Sequence, residues 1–161
     1  MKNNLLLILA FIPVIILQLV ADRFLTFNYI GPDLILILVV FISLIKGQLQ
    51  GSVAGFIFGF FYDLLSGGLI GVSMFSLTIG GFTAGFFYNE NKKVHYLSSY
   101  MFVFIVFLCS WIASFFHSVF ESSKLPLNIF ILLIEYGVIP AIYTAALSVP
   151  VIIFYPKERL E

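Results

Sequence analysis

The reactive side chains of this chain are few, and their positions limit the chemistry open to it. Two histidines (His95 and His117), one cysteine (Cys109) and eight acidic residues are the supply for acid–base, nucleophilic or metal chemistry. Catalysis needs a converging nucleophile, base or metal shell. An apolar run separates the histidines, so a single membrane crossing puts them on opposite faces. There is no HExxH, no GxSxG and no phosphate-binding loop. A lone cysteine inside an apolar run rules out an internal disulfide and a thiolate metal site, and it reads as a packed, inert thiol. The expectation is a protein with no catalytic residues, no metal and no cofactor.

Two polar groupings remain. Asp63 is followed by Leu64-Leu65-Ser66-Gly67-Gly68. It reads as the end of a helix leading into a glycine-rich turn, or as a ligand or partner contact; carboxylates at an interface commonly mark boundaries, while deep ones mark sites. His117 and Glu135 lie equally far from Pro126, in the hairpin between the last two apolar runs. Antiparallel helices would bring them to similar depth, either as a polar pair or as two residues facing headgroups. Beyond Glu135, Gly137 and Pro140 predict a bend. Trp111 sits mid-helix and reads as a packing residue, or else as part of a partner interface.

The elements that carry these residues are membrane helices. Of 161 residues, 61% are hydrophobic and 10% charged, and the mean hydropathy is +1.13. A soluble domain carries about 25% charged residues. Net charge is zero, so nothing draws the chain to nucleic acid. Charges divide it into six apolar segments, roughly 4–21, 33–45, 48–62, 69–88, 97–120 and 129–154, within one polytopic domain spanning 1–161. Crossing about 30 Å of hydrocarbon takes around 20 helical residues. The second and third segments fall short, and they either cross a thinned bilayer or form a re-entrant hairpin. The first resembles a signal peptide but is long for one and has no small-residue cleavage site, so it reads as a retained helix. The predicted fold is an all-α bundle of about six transmembrane helices, two of them short.

Six of the eight basic residues (Lys2, Lys46, Lys92, Lys93, Lys157 and Arg159) fall on one side if the N-terminus is cytoplasmic; Arg23 and Lys124 fall on the other. The positive-inside rule then predicts both termini in the cytoplasm. Asp22, Asp33, Asp63 and Glu121 lie on the outer face. Short connections leave no room for a soluble domain.

Within the third segment Gly47, Gly51, Gly55 and Gly59 recur every fourth residue. That spacing draws them into one stripe, drifting about 40° per step. Each glycine costs a helix roughly 1 kcal/mol against alanine in soluble hosts, but in lipid such a stripe admits another backbone closely. The fourth segment repeats the spacing at Gly67/Gly71 and Gly81/Gly85. The stripe therefore packs on the fourth helix, or alternatively forms a homodimer seam.

Pro32-Asp33-Leu34, Lys46-Gly47, Gly51, Gly55-Phe56, Gly59, Asp63, Leu69-Ile70-Gly71 and Gly81-Phe82, with Pro140-Ala141-Ile142-Tyr143-Thr144-Ala145 near the C-terminus, resemble the rod shape-determining MreD family. The resemblance implies a non-enzymatic inner-membrane scaffold of the bacterial cell-elongation machinery. It implies an MreC-like single-pass partner and, through it, MreB, RodA and a class B penicillin-binding protein. It also implies a fold similar to the S-components of vitamin transporters. Under it Gly47, Gly51, Gly55, Gly59, Gly71, Gly81 and Gly85 are packing or interaction residues, and Pro32, Asp33 and Asp63 are boundary or partner contacts. The alternative is a small-solute-binding transporter subunit, which needs polar groups converging at depth. Phe, Ile, Leu and Val dominate the deep segments, which favours the scaffold. A lipid-processing enzyme would need acid–base groups that are not found.

Overall fold

The short second segment, apolar on every side, occupies the centre of the molecule. A helix of that composition has no face suited to water and is driven inward. The computed structural model describes residues 2–24, 26, 31–90, 96–97, 99–121 and 134–154, with side chains described from residue 11 onward except at 121, 135, 153 and 154. Within them the chain is helical: α1 (Lys2–Phe24), α2 (Leu34–Lys46), α3 (Gln48–Ser66), α4 (Val72–Gly85), α5 (Met101–Glu121), and a π-turn (Ile134–Val138) running into α6 (Ile139–Phe154). Helix α2 touches α1, α3, α4, α5 and α6. Its Ile35, Leu36, Val39, Val40 and Leu44 are buried almost completely. Phe11 of α1 stacks on Phe58 of α3 with ring centroids 4.1 Å apart, and Phe75 of α4 meets Phe116 and Phe120 of α5 edge-on.

Outside α2 the apolar side chains face outward as readily as inward. Ile16 and Leu17 on α1, Phe56 and Phe60 on α3, Phe82 on α4, Phe104 on α5 and Ile142 on α6 are all exposed. A surface this apolar on five helices is unlike that of a monomer in water, and suits hydrocarbon. Among the described residues, α3 and Met101–Phe120 are long and apolar enough to cross a membrane.

Two segment boundaries need correcting. The third helix runs 19 residues to Ser66 instead of stopping at Tyr62, and the fourth is only 14 residues, not the 20 of segment 69–88. The charge of Asp63 marks a segment boundary in the sequence, but the residue is 3% exposed and the helix passes through it. The residues before Val72 form a connection with Gly71 at φ +106°, a conformation that glycine enters without a Cβ penalty. Where Gly137 and Pro140 predict a bend, the helix widens into the π-turn. Proline cannot donate to the carbonyl one turn back, and a local change of hydrogen-bond pattern absorbs the loss.

The α3–α4 pair is the most intimate in the fold. A Cβ on Gly85 would collide with the Gln48 Cα, one on Gly81 with the Gly51 carbonyl, one on Gly55 with the Leu77 carbonyl, and one on Gly59 with the Met74 Cα. These contacts descend one helix as they climb the other, so the two run antiparallel at backbone distance along their shared length. The Ser43 hydroxyl donates to the Gly81 carbonyl at 2.7 Å and ties α2 to the pair. A Cβ on Gly51 would meet that same serine.

Gly47 and Gly71 do different work from the other stripe glycines. Gly47, at φ +96°, turns the chain between α2 and α3, and a Cβ there would lie 3.8 Å from the Tyr88 ring. Nothing lies within 4 Å of a Cβ on Gly71. Both are needed for backbone conformation rather than close packing.

Candidate functional site

Helix starts leave backbone N–H groups without intrahelical partners, a cost that rises where water is scarce. In this protein side chains from distant helices meet that need, and they gather at one end of the bundle. Asp33 precedes α2 and accepts the Leu36 N–H at 2.8 Å through its side chain. The Asp33 N–H donates to the Thr144 hydroxyl of α6 at 3.0 Å. The next donor, the Leu34 N–H, goes to Gln18 Oε1 of α1 at 2.7 Å. Gln18 Nε2 donates in turn to the Pro32 carbonyl at 2.9 Å and to Asp22 Oδ1 at 2.8 Å. Asp22 lies one turn after Gln18 on the same face of α1, and its Oδ2 accepts the Tyr62 hydroxyl of α3 at 2.7 Å. One glutamine therefore joins α1, the segment before α2 and, through Asp22, α3.

Asp63 does the same for α4. Its Oδ2 accepts the N–H groups of Gly71 at 2.7 Å and Met74 at 3.2 Å, and its Oδ1 that of Ser73 at 3.2 Å. A carboxylate at a helix N-terminus also meets the positive end of the helix dipole.

Gln18, Asp22, Pro32, Asp33, Tyr62 and Ser73 border a cavity of about 270 Å³. Its walls come from α1 (Gln18, Asp22), the segment before α2 (Thr26, Pro32, Asp33), the end of α3 (Tyr62), the start of α4 (Ser73, Ser76), the end of α5 (Ser114, His117, Ser118) and the start of α6 (Pro140). Helix ends and helix starts alternate around it, as an up-and-down bundle requires. Among the described residues two carboxylates line it, and no lysine or arginine does.

Pro32, Asp33 and Asp63, expected as boundary or partner contacts, lie close to helix termini, before α2 and near the end of α3. Pro32 is fully buried and Asp63 nearly so, and both are engaged by hydrogen bonds inside the chain. Asp33 lines the cavity. His117 lines it too, while the side chain of Glu135, its expected partner, lies outside the described residues, as does His95. Cys109 is a buried free thiol. Among the described residues no group of three His, Cys, Asp or Glu side chains could hold a metal ion. Gln18, Asp22, Tyr62 and Thr144 were not singled out from sequence as site residues. The available signal was Gln18 itself, an amide inside an apolar run with a carboxylate one turn later.

The pattern of the family described as rod shape-determining protein MreD matches residues 1–156. The chain belongs to the MreD family. Its role is therefore in rod-shape determination, as a membrane protein of the bacterial cell envelope. No curated protein and no solved structure matches the chain significantly.

Proposed function

We propose that this MreD-family protein is a non-enzymatic adaptor of the cell-elongation machinery, set in the bacterial cytoplasmic membrane with both termini inside. It holds a single-pass MreC-like partner by helix packing, and through that partner it is linked to MreB, RodA and a class B penicillin-binding protein. The observation that carries this reading is the family match over residues 1–156. The glycine ladder supports a particular form of it. Gly55, Gly59, Gly81 and Gly85 are spent on the α3–α4 contact, so the partner meets outward side chains such as Phe56 and Phe60 on a rigid helix pair. Dispersion and shape then supply the affinity, because hydrocarbon provides no hydrophobic drive between helices.

A second reading, a small-solute-binding subunit of the S-component type, draws support from the polar cavity between α1 and α6. Deletion in a rod-shaped host separates the two. The adaptor reading expects rounded cells with solute uptake intact. Rod-shaped cells that have lost uptake of one solute would replace it with the transport reading.

A further inference from the structure

We propose that the connection between α3 and α4 is a lipid-inserted tip. Residues 64–71 end inside the leaflet opposite Lys46 and Glu90, with their aliphatic side chains among its acyl chains. The inference holds in either orientation of the bundle and is independent of how the protein meets its partner. Four observations converge on it.

The first is where the charges lie. Between Lys46 and Glu90 the only Asp, Glu, Lys or Arg is Asp63. The two feet of the hairpin share one end of the bundle, since a Cβ on Gly85 would collide with Gln48. Charge therefore marks the feet, where interfacial water can solvate it. None is displayed at the tip, because Asp63 is 3% exposed.

The second is the surface of the connection. Leu64, Leu65, Leu69 and Ile70 are each more than half exposed. Ser66, the one hydroxyl among residues 64–71, donates back to the Asp63 carbonyl at 3.4 Å. On α3 the exposed Val53, Phe56, Phe60 and Leu64 recur at three- or four-residue spacing, so they share one face. That face runs into the tip without a charged residue between them, which makes the tip continuous with the hydrocarbon-facing surface of the bundle.

The third is reach. Helix α3 has 19 residues and α4 has 14. At 1.5 Å per residue they span about 28 and about 21 Å, against about 30 Å of hydrocarbon. Measured from its feet, the hairpin stops short of the far headgroups.

The fourth is the backbone. Hydrocarbon tolerates the start of a helix only where its N–H groups find partners within the protein. Asp63 accepts those of Gly71, Ser73 and Met74, and the Val72 N–H donates to the Leu69 carbonyl at 3.3 Å. Burying a carboxylate is a costly way to serve donors that bulk water could solvate. Beside acyl chains no water is at hand to do it.

The test places a nitroxide at Leu65→Cys or Ile70→Cys in the full chain, reconstituted without other proteins in nanodiscs of phosphatidylethanolamine and phosphatidylglycerol. Both side chains are exposed, so the label requires no repacking. Cys109 is buried, and unmodified protein carried through the same labelling is the blank. Relaxation of the nitroxide by oxygen, which partitions into hydrocarbon, is compared with relaxation by a water-soluble nickel chelate. Phe56→Cys on the outward face of α3 and Glu90→Cys at the foot supply the lipid and water references. At both tip sites the oxygen-to-nickel ratio should exceed that at Glu90 by about fivefold or more and approach that at Phe56. A smaller excess at either site overturns the proposal, because the tip then stands in water, as a surface built for a soluble protein partner would.

Discussion

Asp63 accepts the Gly71 N–H at 2.7 Å, so the carboxylate that nearly closes α3 also begins α4. With Ser73 and Met74 on the same side chain, three backbone donors depend on one buried acid. Asp63 is therefore a joint in the fold. Asp63→Ala should destabilise the protein by about 1–3 kcal/mol or more, the cost of orphaning buried donors. Asp63→Asn, which keeps one acceptor oxygen, should fall between it and the unmodified protein. Thermal unfolding of the detergent-purified variants measures this, and an Asp63→Ala midpoint equal to that of the unmodified protein would remove the joint from the account.

The glycine ladder makes a prediction at the scale of a single methyl group. Even a methyl group at Gly55 or Gly59 would collide with backbone atoms of Leu77 or Met74, which cannot swing aside. Gly55→Ala and Gly59→Ala should each lower stability by about 1–3 kcal/mol and reduce abundance in the membrane. Gly68→Ala should do neither, since its Cβ would meet only the Ser66 hydroxyl oxygen at 3.6 Å. On α3 itself the fitting control is Phe60, which is exposed. Phe58 is 5% exposed and stacked on Phe11, so its truncation should be costly.

Sequence reasoning reached this ladder because its signal is local: four glycines at fixed spacing in one segment, and the same spacing again in the next. It missed the polar end of the bundle for the opposite reason. Asp33 and Thr144 meet across 111 positions, and Tyr62 reaches Asp22 across 40; neither pair has a periodicity to detect. Treating charge as a sign of exposure also misplaced the end of α3. Asp63 is a charged group that the fold buries because it has donors to satisfy.

Gln18 tests whether that polar end is a network or a set of neighbours. Its amide serves Leu34, Pro32 and Asp22 together. Gln18→Leu leaves a backbone donor, a carbonyl and a carboxylate oxygen without this partner and should cost more than Tyr62→Phe, which removes one hydrogen bond worth about 1 kcal/mol. Unfolding midpoints in detergent give the order. If Tyr62→Phe is the more harmful, Gln18 is not the organising residue.

Orientation follows from basic residues rather than from the fold. Membrane-impermeant thiol reagents applied outside intact cells should label a cysteine placed at Ser123 and spare those at Lys92 and Glu158. The native Cys109 is buried and should contribute no background. Labelling at Lys92 from outside would invert the bundle.

The adaptor reading is tested most directly by what the protein retains when it leaves the membrane. Tagged full-length protein, solubilised in mild detergent from its own cells and analysed by mass spectrometry, should retain an MreC-like single-pass protein in near-stoichiometric amount. Paired substitutions on the outward face of α3, at Phe56 and Phe60, should release that partner while leaving the unfolding midpoint unchanged. Recovery of stable protein without any such partner, from membranes that contain it, would contradict the account.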